Sequence, residues 1–210
     1  MTITFYGEDC FKIQSGETTI LTDPFEAQTG LTPPRFKADI ILKTITPFPF
    51  PNQLINPSTS QLIYGAGEYN IKDINIFGFG LIKESTENFL KTAYLVKTEG
   101  MNLCFLGHLS ETPEPAILEH LEEIDVLFIP AGGSPFIEQK SAIKLVKQIE
   151  PKIVVPSFYK IPQLKRKADD LKIFLEEFNH KEKIEPKEKL TIKKKDLEEI
   201  KKTEIVCFRV

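Results

Sequence analysis

The chain has 210 residues, of which 41% are hydrophobic and 27% are charged, and its formal net charge is −3. This length and composition suit one large or two small globular domains with a full hydrophobic core. The mildly negative charge argues against a nucleic-acid partner, for which a basic stripe is expected. The lysines between Lys181 and Lys202 alternate with glutamates, which is typical of a solvated edge.

The first third of the chain predicts β structure. "TITFY" (2–6), "CFKIQS" (10–15) and "TTILTD" (18–23) are short runs of β-branched and aromatic residues, separated by the turn signals "GED" and "GE". "DIILKT" (39–44) predicts a further strand after a proline-containing loop. Residues 61–65, 68–72 and 74–82 are also strand-like, and residues 92–107 predict a hairpin that turns at Glu99-Gly100.

The second half alternates between helical and strand patterns. Apolar residues at helical spacing predict helices over 113–124, 137–149 and 165–179. The apolar runs at 125–131 and 152–157 predict buried strands, and β structure returns near the C-terminal end. Strands followed by strand–helix alternation predict a layered α/β fold with mixed sheets. We treat residues 1–210 as a single domain, because no linker interrupts the pattern.

The cysteines and the apolar runs bear on the compartment. Cys10, Cys104 and Cys207 are odd in number and far apart, without a CxxC pair, so buried reduced thiols are expected. "TITFY" begins directly after the first methionine without the apolar region of a signal peptide, and no apolar run approaches the length of a membrane span. We expect a cytoplasmic protein without a membrane partner.

Several segments, in the same order, resemble the metallo-β-lactamase fold superfamily, in particular its short single-domain branch of Zn-dependent hydrolases (UlaG-like). They are "ITFYGEDCFKIQSGETTILTDPF" (3–25), "KADIILKT" (37–44), "GAGEYNIKDINIFG" (65–78), "NLCFLGHL" (102–109), "EIDVLFIPAGG" (123–133) and "IEPKIVVPSFYKIP" (149–162). The resemblance implies a four-layer αββα sandwich of two mixed sheets flanked by helices. It also implies a zinc site at one edge, between the sheets.

The metal-binding residues of that family are replaced in this chain. The family's His-x-His-x-Asp-His loop follows the strand that ends at Thr44. Its bridging aspartate corresponds to His108, its last histidine to Phe158, and the histidine of its opening motif to Glu8. The four ligand positions of the loop hold Ile45, Pro47, Pro49 and Phe50. None of these four side chains can bind a metal ion, so we expect no zinc and no other cofactor.

Two hypotheses concern the altered loop. In the first, Ile45, Phe50 and Phe158 fill the former metal cavity, since buried ligand carboxylates without a cation would be costly. In the second, "PFPFP" (47–51) is a rigid exposed loop whose Phe48 and Phe50 bind a protein partner or a second copy of the chain.

A few polar residues remain near the expected site. Asp23 and His108 are the catalytic candidates, because a carboxylate beside an imidazole is the minimum for general base chemistry. A structural hydrogen bond is the commoner meaning of such a pair. Glu8, Glu111 and His108 are alternatives that could hold one cation. The possible pocket residues are Glu8, Glu68, Tyr69 and Tyr159.

The sequence therefore favours a non-catalytic pseudo-hydrolase that acts in binding, scaffolding or oligomer assembly. The alternative is a metal-dependent hydrolase with a rearranged site built from Asp23, His108 and carboxylates. Assembly with an active homologue is a third possibility. Fold kinship alone decides none of these, because function depends on the site.

Overall fold

The computed structural model describes residues 1–50, 60–179 and 184–210. The predictions that fall on Pro51, on His180 and on the first lysines of the 181–202 segment lie outside these residues. In chain order, the described strands are β1 Thr2–Gly7, β2 Cys10–Ser15, β3 Thr18–Thr22, β4 Ile40–Lys43, β5 Ile45–Pro47, β6 Gln61–Tyr64, β7 Gly67–Ile71, β8 Ile74–Gly80, β9 Phe89–Thr98, β10 Met101–Phe105, β11 Val126–Pro130, β12 Ile153–Ser157, β13 Lys189–Thr191 and β14 Glu204–Ile205. The helices are α1 Pro115–Leu118, α2 Gln139–Ile149, α3 Leu171–Glu177 and α4 Lys194–Glu198.

The described strands form two mixed sheets. The first has the order β13-β1-β2-β3-β4-β6, with β3, β4 and β6 parallel. The second has the order β14-β12-β11-β10-β9-β8-β7, with β10, β11, β12 and β14 parallel, while β5 pairs with β9. The predicted hairpin between β9 and β10 is confirmed, with Met101 opposite Thr98.

The space between the two sheets holds the main core. Phe11 of the first sheet meets Phe128 of the second at 4.7 Å between ring centroids, and Phe128 stacks on Phe105 at 4.2 Å. Inward-facing residues of β1 and β2 alternate with partly exposed ones, as expected for strands that are buried on one face. Cys10, Cys104 and Cys207 are buried and free, as predicted.

The outer faces of the sheets are covered in different ways. Helices α2 and α3 contribute Val146 and Phe174 to a cluster that packs on Leu127 of the second sheet. The outer face of the first sheet is covered by the segment after β3, which packs Phe25 and Phe36 beside Cys10, Leu21 and Ala38. The predicted α/β sandwich of two mixed sheets with flanking helices is therefore confirmed, and the helices cluster on the second sheet.

Two predicted helices are shorter than the sequence pattern suggested. The helix expected over 113–124 covers only Pro115–Leu118, and the chain turns through a left-handed conformation at Glu123. The helix expected over 165–179 begins only at Leu171, where the Asp170 carboxylate caps it by accepting the backbone N–H of Lys172. The residues before Asp170 are not helical, because they run toward the end of the sandwich. Among the described residues, no helix combines the length and apolar character needed to cross a membrane.

Candidate functional site

The carboxyl ends of parallel strands from both sheets meet at one end of the sandwich. Asp23 and Thr44 directly follow β3 and β4 of the first sheet, while His108 and Phe158 follow β10 and β12 of the second. In open α/β sheets this end is where ligands usually bind. The topology therefore gathers the residues that the sequence singled out around one place.

Asp23, Thr44 and His108 form a hydrogen-bonded chain. Asp23 Oδ1 accepts the backbone N–H of Thr44 at 3.0 Å, and Asp23 Oδ2 accepts the Thr44 hydroxyl at 2.5 Å. The Thr44 oxygen lies 2.7 Å from His108 Nδ1. A hydroxyl has one proton, and Thr44 gives it to the carboxylate, so His108 Nδ1 donates to Thr44 and its other ring nitrogen, Nε2, keeps a lone pair.

The predicted direct pairing of Asp23 with His108 is therefore replaced by a bridge through Thr44. Asp23 Oδ2 and His108 Nδ1 are 4.0 Å apart, which is too long for a hydrogen bond. Gly107 makes this arrangement possible, because it adopts a φ of +56° and a Cβ there would collide with the Thr44 side chain. A small residue before His108 thus lets the two sheets approach closely.

The environment of His108 favours a neutral imidazole. Burial lowers the pKa of His108, Lys91 and Lys43 lower it further, and the Asp23 carboxylate opposes them. Two phenyl rings contact the imidazole: Phe158 at 4.9 Å and Phe136 at 5.8 Å between centroids. Phe158 is buried, as the cavity-filling hypothesis requires.

Arg166 forms a bidentate ion pair with Glu8 across the site. Its Nε and a terminal nitrogen donate to the two Glu8 oxygens at 3.1 and 2.7 Å, and the terminal nitrogen also donates to the Phe158 carbonyl at 2.7 Å. The guanidinium lies over the Phe136 and Phe158 rings, at 5.1 and 5.8 Å from their centroids. A fixed internal cation therefore lies against Glu8 and Phe158, two positions where the resemblance expects metal-site histidines.

Asp9 lies beneath the site and is completely buried. Neither of its oxygens, nor the buried hydroxyl of Ser157, has a hydrogen-bond partner of good geometry within the described ranges. Burial raises the pKa of Asp9, and the Asp23 charge raises it further, while the nearby Ser157 hydroxyl lowers it. Burial dominates, and it disfavours the charged form of Asp9.

These residues surround a half-open cavity of about 240 Å³. A larger groove of about 730 Å³ lies elsewhere, between β1 and residues 31–36, and contains none of the predicted site residues. The smaller cavity is therefore the candidate site, since the strand ends and the hydrogen-bonded chain converge there. Its wall includes Glu8, Asp23, Lys43, Ile45, His108 and Phe158.

The residues present do not fit the metal site that the family resemblance implies. Over residues 1–50, 60–179 and 184–210, no group of three His, Cys, Asp or Glu side chains is placed to hold a metal ion. Glu8 is engaged by Arg166, and Asp23 by Thr44. Glu111, an alternative ligand with Glu8 and His108, is exposed and does not line the cavity.

Several of the residues predicted for the site lie outside this cavity. Phe50 packs on Tyr64 at 4.7 Å instead of filling the cavity, because the chain turns outward after β5. Glu68 is exposed on β7. Tyr69 directs its hydroxyl toward the Tyr64 and Gly65 carbonyls. Tyr159 points into the core and donates to the Phe208 carbonyl at 2.9 Å.

The other loop positions where the resemblance expects metal ligands differ in exposure. Ile45 is half-buried in the cavity wall, while Pro47 and Pro49 are exposed. Phe48 is 46% exposed and contacts Phe50 at 5.6 Å in a perpendicular arrangement. The two hypotheses about the loop therefore apply to different residues, with Ile45 facing the cavity and Phe48 facing solvent.

Sequence reasoning missed Asp9, Lys43, Thr44 and Arg166. Asp9 lies in a segment that predicts only a hairpin turn, and Arg166 lies in "KRKADD", which predicts an exposed helix start. Thr44 carried a usable signal, since a polar residue at the carboxyl end of a buried parallel strand faces the site region. Nothing in the sequence linked Arg166 to Glu8, which are 158 positions apart.

Comparisons with known proteins identify the superfamily of this chain. The profile of the Beta-lactamase superfamily domain matches residues 2–157, so the chain belongs to that superfamily. A UPF0173 metal-dependent hydrolase of Lysinibacillus sphaericus is 26% identical over 195 residues, covering 76% of this chain and 85% of the relative. A UPF0173 protein of Pyrococcus furiosus is 28% identical over 187 residues, covering 76% and 83%.

Solved structures show the same fold. A candidate Zn-dependent hydrolase of the metallo-β-lactamase superfamily from Thermotoga maritima superposes with a TM-score of 0.80 at 26% identity, covering 100% of this chain and 98% of that one. A metallo hydrolase from Ignicoccus hospitalis superposes with a TM-score of 0.62 at 16% identity, covering 91% and 98%. The second likeness concerns the fold alone.

Replacing Arg166 by Met should destabilise the protein by about 2 kcal/mol, because Glu8 would be left largely buried without its cation. Adding Glu8→Gln should restore part of this loss, since the unpaired charge is then removed. Urea unfolding followed by circular dichroism measures both effects. Arg209→Met is the matched control: its ion pair with Glu188 is exposed, so its loss should cost less than about 0.5 kcal/mol. Equal losses in the two Arg variants would contradict this account of the Arg166–Glu8 pair.

The raised pKa of Asp9 predicts that the free energy of unfolding falls as the pH rises above the ordinary aspartate value, until it reaches the pKa of the folded state. In that window the folded state keeps the proton and the unfolded state has lost it. Each pH unit then costs about 1.4 kcal/mol of stability from this group. Urea titrations at several pH values should show this fall in the wild type, and Asp9→Asn should flatten it. An unchanged slope in Asp9→Asn would exclude Asp9 as its source.

Proposed function

We propose that this chain is a metal-free, non-hydrolytic member of the superfamily that acts by binding. The observation that carries the proposal is the engagement of Glu8 and Asp23 by protein groups. Glu8 is paired with Arg166, and both Asp23 oxygens accept hydrogen bonds from Thr44. Ile45, Pro47, Pro49 and Phe50 have no metal-binding atom at the loop positions where the family has ligands.

The electrostatics of the site support the same proposal. Carboxylates gathered at one end of a sandwich repel one another, and a metal ion would relieve that repulsion. In this chain the Arg166 guanidinium lies against Glu8, and Lys43 lies in the same cavity wall and donates to the Pro24 carbonyl at 3.0 Å. Burial and the neighbouring Asp23 raise the pKa of Asp9, which disfavours a further negative charge there. The site is therefore balanced electrostatically by its own side chains.

Some relatives that match this chain are named metal-dependent hydrolases. That name states the activity of those proteins. A hydrolase with a rearranged site is the second candidate, and the Asp23–Thr44–His108 chain favours it. In that reading the free Nε2 of a neutral His108 would accept a proton from water as a general base. The same chain also serves as a structural tie between the two sheets, which is the role it has under the first proposal.

Elemental analysis of the purified protein distinguishes the two candidates. After expression in medium supplemented with zinc, iron and manganese, we expect far less than one ion of any of these metals per chain. Stoichiometric metal that is lost on His108→Ala and retained in His120→Ala would overturn the metal-free proposal. His120 is a suitable control because it stacks on Phe79 outside the cavity.

The exposed Phe48 supports a second binding surface at the β5 end of the molecule. An aromatic side chain that is 46% exposed beside rigid prolines can enter a pocket on a partner at little entropic cost. We propose that this loop joins two copies of the chain or binds another protein, with Phe48 as the anchor and Phe50 as its support.

Sedimentation equilibrium tests whether the loop joins two copies of the chain, because it measures self-association. Phe48→Ser should weaken self-association by about tenfold or more, as expected for an aromatic anchor. Ile82→Ser is the matched control, because Ile82 is more exposed, at 77%, and lies outside the loop. If the wild type stays monomeric at high micromolar concentration, or if both variants weaken association equally, the loop is not the surface that joins two copies.

A further inference from the structure

The wall of the 240 Å³ cavity carries charges that cancel. Glu8 and Arg166 neutralise each other in a bidentate pair. Asp23 and Lys43 add one acidic and one basic side chain to the same wall, and Asp9 borders it from beneath, where burial raises its pKa and disfavours its charge. A charged ligand would have to leave water without finding an uncompensated opposite charge, which is unfavourable. The cavity is therefore better suited to an uncharged molecule.

Lys43 and His108 are partly exposed polar groups in the wall that have free hydrogen-bonding capacity, whereas the unpartnered Asp9 is completely buried beneath it. The Lys43 ammonium has three N–H groups, and its one bond to a described residue goes to the Pro24 carbonyl at 3.0 Å. His108 uses Nδ1 for Thr44, and its Nε2 has no hydrogen bond to any residue in the described ranges. The lowered pKa of His108 keeps that nitrogen an acceptor near neutral pH. The cavity thus offers the remaining N–H groups of Lys43 as donors and His108 Nε2 as an acceptor.

The rest of the wall is apolar and leaves limited space. Phe25, Ile45 and Phe136 contribute carbon surface. At roughly 30 Å³ per water molecule, a cavity of about 240 Å³ holds about eight waters, and hence a ligand with at most about that many non-hydrogen atoms. Small ligand sites commonly combine such an apolar wall with a few placed polar groups.

We propose that the cavity binds a small uncharged carboxamide, whose carbonyl oxygen accepts from Lys43 and whose N–H donates to His108 Nε2. A primary amide carries a donor and an acceptor on separate atoms without a charge, so one group can satisfy both Lys43 and His108. Its alkyl part packs against Phe25, Ile45 and Phe136. This inference rests on the proposed function, because it assigns a ligand class to a binding site without a metal ion.

Three probes of equal size and shape test the ligand class: isobutyramide, isobutyrate and isobutyramidinium. They are titrated separately into the ¹⁵N-labelled full chain at pH 7, with and without EDTA, and shifts of the His108 ring nitrogen and of the cavity amides are recorded. We expect isobutyramide to bind in the millimolar range and about tenfold more tightly than either charged probe. The His108 Nε2 resonance should move with the same midpoint as the amides.

Two pairs of variants locate the contacts. Lys43→Met and His108→Phe should each weaken isobutyramide binding by about tenfold. The controls Lys97→Met and His120→Phe, at residues outside the cavity wall, should leave it unchanged. The shift of the His108 ring nitrogen in the wild type keeps the test decisive if His108→Phe fails to fold.

Tighter binding of isobutyrate or isobutyramidinium, or no saturable binding of isobutyramide, would overturn the inference. Stoichiometric metal in the purified protein would overturn the proposed function instead. If the protein is metal-free and does not bind isobutyramide, only the proposed ligand class is disproved. Amide binding that disappears in EDTA would refute both, because the bound species would then depend on a metal ion.

Discussion

The burial of three carboxyl groups at one end of the sandwich is the constraint on which the site depends. Glu8, Asp9 and Asp23 are brought together by the turn after β1 and by the end of β3. Each must be paired, hydrogen-bonded or protonated, because an unpaired buried charge costs several kcal/mol. The protein uses all three solutions: Arg166 pairs with Glu8, Thr44 binds Asp23, and Asp9 has a raised pKa.

These solutions also hold the two sheets together. Arg166 reaches Glu8 from the segment before α3 and binds the Phe158 carbonyl at the end of β12. Thr44, at the end of β4, links Asp23 to His108 beyond β10. Glu8, Asp23 and Phe158 all have positive φ angles, and such conformations in non-glycine residues cluster at functional sites. The same contacts thus fix the fold locally and shape the cavity.

Much of the fold could be predicted from the sequence, whereas the site could be predicted only in part. Alternating and continuous apolar runs located the strands, and α2 followed from its apolar stripe. Asp23, His108 and Phe158 were found because each follows a recognisable strand. Arg166 was not found, because its partner Glu8 is distant in sequence and its own segment resembles an ordinary charged surface. The position of Phe50 could not be predicted from the local sequence pattern. The direction of a loop after a strand depends on tertiary contacts, which for Phe50 are made with Tyr64.

The position of Arg166 has a consequence for any attempt to introduce a metal site at this end of the sandwich. Its side chain binds both oxygens of Glu8, the Phe158 carbonyl and the faces of two phenyl rings. Histidines restored one at a time in the loop after β4 would still face this resident guanidinium, which repels an incoming dication. A metal site introduced at this end of the sandwich would thus require Arg166, Glu8 and the loop to change together. Removing Arg166 alone would leave Glu8 largely buried without its cation, so the change that admits a dication is also one that costs stability.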